Sequence, residues 1–225
     1  MIDTINRLTE NDHLTAKQRL LDYVDHFYFT RQEESALVEL LKNPVAVDDA
    51  REILLKCDRY RKANVVDLVN LLKHPVAGDA AKEILLSWAR IDCHEEVELA
   101  LCDCLKDPEV SDAAKEILLV HTENTEFSAD LAVLLNMLKD PSTIEAAKEI
   151  LCEAFPYNPL SSNSEVVLVN LLKDPVASCA AKEIIPVYVE NWGLEANAKR
   201  ELRLLKMNPE TADIAEQILA SLLCF

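Results

Sequence analysis

Glycine is nearly absent from this chain: two residues in 225, Gly78 and Gly193. Aromatic residues make up only 5%. Sheet proteins use glycine in tight turns and aromatics in strands, so both shortages argue against a β architecture. Basic residues are scarce beside acidic ones, 23 Lys plus Arg against 40 Asp plus Glu, giving a formal charge of −17. Phosphate backbones are bound by clustered Lys and Arg, so this balance excludes nucleic acid as an expected partner. Anionic membrane surfaces are disfavoured for the same reason. No run of about 18 apolar residues is present to span a bilayer, and the opening MIDTINRLTE has no apolar signal core. The seven cysteines are an odd number in a chain large enough not to need staples, which points to free thiols in a reducing, cytoplasmic compartment. Nucleophile elbow, Walker loop and dinucleotide fingerprint are all missing.

Half of the residues are hydrophobic. Leu, Ala, Glu and Lys dominate, and all four are good helix formers. The expected class is all-α.

Self-similarity then organises the chain. Six segments read alike: LVELLKNPVAVDDAREILLK, LVNLLKHPVAGDAAKEILLS, ALCDCLKDPEVSDAAKEILLV, AVLLNMLKDPSTIEAAKEILC, LVNLLKDPVASCAAKEIIPV and ELRLLKMNPETADIAEQILA. Their prolines, Pro44, Pro75, Pro108, Pro141, Pro175 and Pro209, are spaced 31, 33, 33, 34 and 34 residues apart. A degenerate seventh copy opens the chain, where TAKQRLLDYV aligns with AAKEILLSWA and Glu10 stands 34 residues before Pro44. Repeats at 1–30, 31–61, 62–94, 95–126, 127–161, 162–194 and 195–225 fill the chain as a single domain, leaving no room for a separate catalytic one.

Each copy has a helical period. Leucine-like residues three, four and seven places before proline, such as Leu72, Leu71 and Leu68, share one face of a first helix. Proline pushes the residue before it out of α conformation. Those residues are Asn43, His74, Asp107, Asp140, Asp174 and Asn208, mostly good turn formers. Ala or Ile at five, Ala at six, Ile at nine and Leu or Ile at ten places after proline form the stripe of a second helix. The alanine at six is invariant across the six copies: Ala50, Ala81, Ala114, Ala147, Ala181 and Ala215. One hairpin cannot bury such stripes alone, so the copies must stack.

A leucine-rich first helix running into L-L-K-D-P, as at Leu105–Pro108, Leu138–Pro141 and Leu172–Pro175, followed by an Ala-rich helix, resembles HEAT repeats across the whole chain. The period is short, as in compact bacterial HEAT-like arrays. The basic residue that the family places early in the second helix comes later here, as Lys82, Lys115, Lys148 and Lys182. The resemblance implies an α-solenoid of about seven repeats wound as a right-handed superhelix. It also implies a non-enzymatic scaffold that binds a protein or peptide along its concave, second-helix surface. HEAT-like hydroxylases use several His-Glu pairs, whereas only His94-Glu95 occurs here, and HEAT-like DNA glycosylases need a basic groove. A bilin-lyase type of enzyme or enzyme accessory, and a bacterial effector delivered to a host cell, stay open as alternatives.

Polar columns mark candidate contacts. Seven places after proline stand Arg51, Lys82, Lys115, Lys148 and Lys182; eight places after stand Glu52, Glu83, Glu116, Glu149 and Glu183. The last copy breaks both columns with Glu216 and Gln217. An acidic column at four, Asp48, Asp79, Asp112, Glu145 and Asp213, is broken by Cys179. These charges are either a solvated salt-bridged face copied by duplication or a track for an extended partner. On the second reading Lys82, Lys115, Lys148 and Lys182 with Glu83, Glu116, Glu149 and Glu183 contact the partner.

A column five places before proline, Glu39, Asn70, Asp103, Asn136 and Asn170, is expected to form a hydrogen-bonded ladder between units. A second candidate contact is the long inter-repeat loop 155–164, with Phe155, Tyr157 and Leu160. Tyr23, Phe27, Tyr28 and Phe29 are expected to fill the core of an end unit. Cys93, His94, Cys102 and Cys104 fit no zinc spacing, and Cys102 and Cys104 stand in apolar columns, so no metal or cofactor is expected. Arg19 makes a polar N-terminal cap, while ILASLLCF at the other end offers either back-packing or self-association.

Overall fold

The computed structural model describes residues 1–57, 64–89, 95–124, 127 and 131–222. Among them the only regular structure is helical. The helices are α1 (Ile2–Asn6), α2 (His13–Val24), α3 (Arg31–Leu40), α4 (Val47–Lys56), α5 (Val65–Leu71), α6 (Gly78–Ala89) and α7 (Glu95–Cys104). Then follow α8 (Ser111–Asn124), α9 (Ala132–Met137), α10 (Ile144–Ala154), α11 (Ser162–Asn170), α12 (Ser178–Trp192), α13 (Ala196–Leu205) and α14 (Ala212–Ser221). Two short 3-10 turns, Arg7–Thr9 and Leu171–Lys173, complete the set. The all-α expectation holds, and each proline motif joins a first helix to a second.

Turn chemistry explains the joints. The side chain before each proline accepts a backbone N–H two residues on: Asn43 Oδ1 from Val45, Asp107 from Glu109, Asp140 from Ser142 and Asn208 from Glu210. His74 Nδ1 and Asp174 Oδ1 reach one residue further as well, to Ala77 and Ala177. These Asx-type turns satisfy amides that the starting second helix would leave orphaned. Asp174 is extended (φ −79°, ψ 126°), as a residue before proline should be. Where the residue two places after proline is threonine, its hydroxyl adds a bond back to the first helix: Thr143 to Met137 O at 2.7 Å and Thr211 to Leu205 O at 2.8 Å.

The chain divides into two compact units, Met1–Asn124 and Thr125–Phe225. In the first, α1 packs on α2, α3 on α4, α5 on α6 and α7 on α8. The second helices form a row, α2 on α4, α4 on α6 and α6 on α8. The second unit repeats the scheme: α9, α11 and α13 each meet their hairpin partner, α10 packs on α12, and α12 on α14. Inside the rows the six invariant alanines are fully buried, as are Leu37, Leu68, Leu101, Leu134, Leu168 and Leu202 of the first helices. A side chain no larger than a methyl lets neighbouring backbones approach, while each buried leucine contributes roughly 1.5–3 kcal/mol.

Both glycines have a steric reason. A Cβ on Gly78 would sit 2.7 Å from the carbonyl oxygen of Leu72. Gly193 ends α12 at φ 72°, ψ −152°, a conformation essentially reserved for glycine. At the ends, Arg19 is exposed as expected of a cap, whereas Leu223, Cys224 and Phe225 lie outside the described residues.

Candidate functional site

The charged columns of the second helices interlock. Three bases at position seven, Arg51, Lys82 and Lys148, reach the acid at position eight of the next repeat. Arg51 Nη1 lies 2.9 Å from Glu83 Oε2, and Lys82 Nζ lies 2.6 Å from Glu116 Oε2. In the second unit Lys148 Nζ lies 3.0 Å from Glu183 Oε2. Lys17 in the degenerate copy begins the series, holding Glu52 at 2.5 Å and Asp49 at 2.9 Å. Two bases also take the acid three residues earlier: Arg51 with Asp48 and Lys148 with Glu145. Carboxylates around the ammonium raise its pKa, at Lys17 through Glu52 and then Asp49, and at Lys148 through Glu145 and then Glu183. Lys115 and Glu149 occupy the same two columns.

Burial within these columns is asymmetric. Arg51, Lys82, Lys115 and Lys148 are half-buried, while Glu52, Glu83, Glu116, Glu149 and Glu183 are exposed. The column at four, Asp48, Asp79, Asp112, Glu145 and Asp213, is exposed too. The reason is geometric: Arg51 and Lys148 each lie between two carboxylates, and the long stem of such a cation covers the helix row and leaves the acids outermost. The four repeats from Pro44 to Pro141 therefore each present two exposed acids and one recessed base. Lys182, exposed, faces a copy whose position eight is Gln217, and Glu216 there turns to Lys206 at 2.7 Å.

The column five places before proline behaves otherwise than expected. Its bonds run within a repeat, to the lysine three residues later. Glu39 pairs with Lys42 at 2.6 Å, Asp103 with Lys106 at 2.7 Å, Asn136 with Lys139 at 3.3 Å and Asn170 with Lys173 at 2.8 Å. The side chains sit on the last turn of their helices, where a lysine three residues on lies on the same face and within reach.

The loop after α10 is also not what the sequence suggests. Phe155 is fully buried, edge-on to Tyr188 with ring centroids 5.0 Å apart, and Leu160 is buried with its N–H on the Tyr188 hydroxyl at 3.2 Å. An apolar ring and a leucine contribute more in the core than on the surface, so these two anchor the loop and present nothing to a partner. Tyr157 alone of the three is exposed, at 57%. The N-terminal aromatic cluster is divided as well: Phe29 is buried, but Phe27 and Tyr28 are exposed. Cys93 and His94 lie outside the described residues. Cys102 is buried, and burial pushes its thiol up to about 12, with the Glu98 charge adding to the effect.

One polar column escaped the sequence reading. Ten places before proline, alternate repeats carry a buried glutamate: Glu34, Glu98 and Glu165. Glu98 Oε1 lies 2.7 Å from His121 Nε2, both side chains fully buried. Glu165 accepts the Tyr188 hydroxyl at 2.9 Å and the Glu195 N–H at 2.7 Å. Glu34 accepts from Asn64 Nδ2 at 3.4 Å. All three glutamates stand in the first turn of α3, α7 and α11, where the helix dipole favours a buried negative charge. His121 and Tyr188 share one column, thirteen places after proline, so a paired reading of both columns would have found them.

A shallow depression of about 360 Å³ lies between the ends of α9 and α11, lined by Lys139, Val167, Asn170, Lys173 and Asp174. No helix among the described residues is long and apolar enough to cross a membrane. Compared with known proteins, the chain matches no family model, no curated protein and no solved structure.

Proposed function

We propose that the chain is a non-enzymatic, HEAT-like α-solenoid scaffold that binds a basic segment of another protein along its second-helix surface. The observation that supports this most directly is the burial asymmetry: exposed acids at positions four and eight, with the bases between them recessed and tied to neighbouring repeats. Within each unit the second helices pack in a row, as in stacked helical repeats. An elongated partner would then meet carboxylates at a regular spacing. Single exposed ion pairs contribute little, about 0.2–1 kcal/mol each, but a row in register steers and orients a cationic segment. Arg51, Lys82 and Lys148 act in this reading by setting the positions of Glu83, Glu116 and Glu183, while Lys115, Lys182 and Glu149 continue the same columns.

Calorimetric titration with an arginine-rich peptide tests the proposal. Binding should occur at low ionic strength and weaken steeply with salt. Replacing Glu83, Glu116, Glu149 and Glu183 together by glutamine should reduce affinity by about tenfold or more while helicity is unchanged. Equal affinity in the quadruple variant would place the partner elsewhere.

A further inference from the structure

Two aromatics are exposed among the described residues of the second unit, and both belong to the corner where α10 and α12 end. Tyr157 leaves the turn after α10 and is 57% exposed, and Trp192 ends α12 and is 46% exposed. The Trp192 indole N–H donates to the carbonyl oxygen of Phe155 at 2.5 Å, two residues before Tyr157, which sets the indole against the turn that carries Tyr157. The corner is held from beneath. Phe155 packs edge-on to Tyr188, and the Asn158 side chain bonds the Ala154 carbonyl at 2.9 Å and the Phe127 N–H at 2.7 Å. An exposed tryptophan fixed by its own N–H, beside a tyrosine on an anchored turn, is a preorganised surface.

Its electrostatics are one-sided. Glu153, Glu190 and Glu195, close in sequence to Tyr157 and Trp192, are exposed, and the Glu195 carboxylate also accepts from the Ser162 hydroxyl. The sequence holds no Lys or Arg between Lys148 and Lys173, nor between Lys182 and Lys199. An aromatic face attracts a cation through its quadrupole, and flanking carboxylates add to that attraction. The equivalent corner of the first unit differs. There Phe27 stacks on Tyr23 with centroids 5.1 Å apart, and Asp25 already holds Lys56 at 2.8 Å. That corner's charge is met from within the chain, whereas no cation–π contact covers Tyr157 or Trp192 among the described residues.

We propose that the Tyr157–Trp192 corner is an aromatic seat for an arginine or lysine side chain of the bound segment. The proposal rests on the reading that the partner is basic, and adds a specific contact outside the carboxylate rows. The partner's guanidinium or ammonium stacks on the indole, with Tyr157 beside it and Glu153, Glu190 and Glu195 at the rim.

Tryptophan emission reads this directly, because the chain has two tryptophans and the other, Trp88, is buried. The Trp88 N–H has no hydrogen-bond partner among the described residues, so Trp88→Phe gives a single-tryptophan protein without breaking a bond. Titration of that variant with an arginine-rich peptide should change Trp192 emission saturably. A peptide with citrulline in place of arginine keeps the shape and removes the charge, and should produce little change. Tyr157→Ala, at an exposed position, should weaken binding by about two- to fivefold, the worth of one exposed cation–π contact, with circular dichroism unchanged. Equal responses to both peptides would mean a merely apolar patch and overturn the seat. So would an emission change on concentrating the protein alone, which marks a second copy, or one with zwitterionic vesicles but not with peptide. Calorimetric binding with Trp192 emission unmoved overturns the seat and leaves the carboxylate rows standing. Absence of calorimetric binding overturns both.

Discussion

Arg51 and Glu83 stand 32 residues apart and meet at 2.9 Å, each on the second helix of its own repeat. The contact belongs to a register: base at position seven to acid at position eight of the next copy. Both side chains are more than a third exposed, so solvent screens the pair. A double-mutant cycle with Arg51→Ala and Glu83→Ala should give a coupling of about 0.2–1 kcal/mol in urea unfolding, vanishing at high salt. A coupling independent of salt would mean that the pair is held by packing and not by charge.

The repeat, its hairpin, its buried leucine and alanine columns and the turn role of the residue before proline were all legible, because each is copied six times. What was not legible follows from the same cause. Glu34, Glu98 and Glu165 occur only in alternate copies, and a glutamate in a first turn reads as a solvated N-terminal acid. Its burial depends on a partner 23 residues on, His121 for Glu98 and Tyr188 for Glu165, and those partners differ in type. Phe155 and Leu160 looked like loop residues because they follow a helix end. Only the packing of Phe155 against Tyr188 shows that the loop folds back into the core.

The Glu98–His121 pair is predicted to be sensitive to losing one partner and tolerant of losing both. Both side chains are fully buried, so Glu98→Leu strands the His121 Nε2 that sits 2.7 Å from the carboxylate. The expected cost is roughly 2–5 kcal/mol in urea unfolding, and His121→Leu should cost a similar amount. The double variant Glu98→Leu/His121→Leu should recover much of it, since two apolar groups need no partner. A double variant as unstable as the sum of the singles would show that the pair is not a unit.

Asp174 should confer a pH dependence through its turn. The Ala177 N–H, then the Val176 N–H, hold its carboxylate below the usual aspartate range. A depressed folded-state pKa adds stability that is present above the unfolded value and lost as pH falls through the folded one. Relative to Asp174→Asn, which keeps the acceptor without the charge, the wild type should lose stability below about pH 4. Asp174→Ala removes the acceptor and should cost about 1 kcal/mol at neutral pH. Parallel stability–pH curves for the wild type and Asp174→Asn would remove the charge from the account.

Cysteine chemistry should report the repeat geometry residue by residue. Cys179 replaces the acid at position four and is exposed, whereas Cys102 lies in the core column of α7 beside Glu98. Burial first, and the Glu98 charge second, push the Cys102 thiol up to about 12. At pH 8 that leaves about one thiolate in ten thousand, before access is considered. Cys104 and Cys152, half-buried, are raised chiefly by the same loss of solvation and should fall between the two. Timed alkylation with iodoacetamide, read by peptide mass spectrometry, should therefore modify Cys179 first and Cys102 last among these four cysteines. Denaturant below the unfolding transition should not change that order, because Cys102 becomes reactive only when α7 leaves α8 and the Glu98–His121 pair opens. Early labelling of Cys102 would mean that this helix opens locally and that the buried Glu98–His121 pair does not hold it closed.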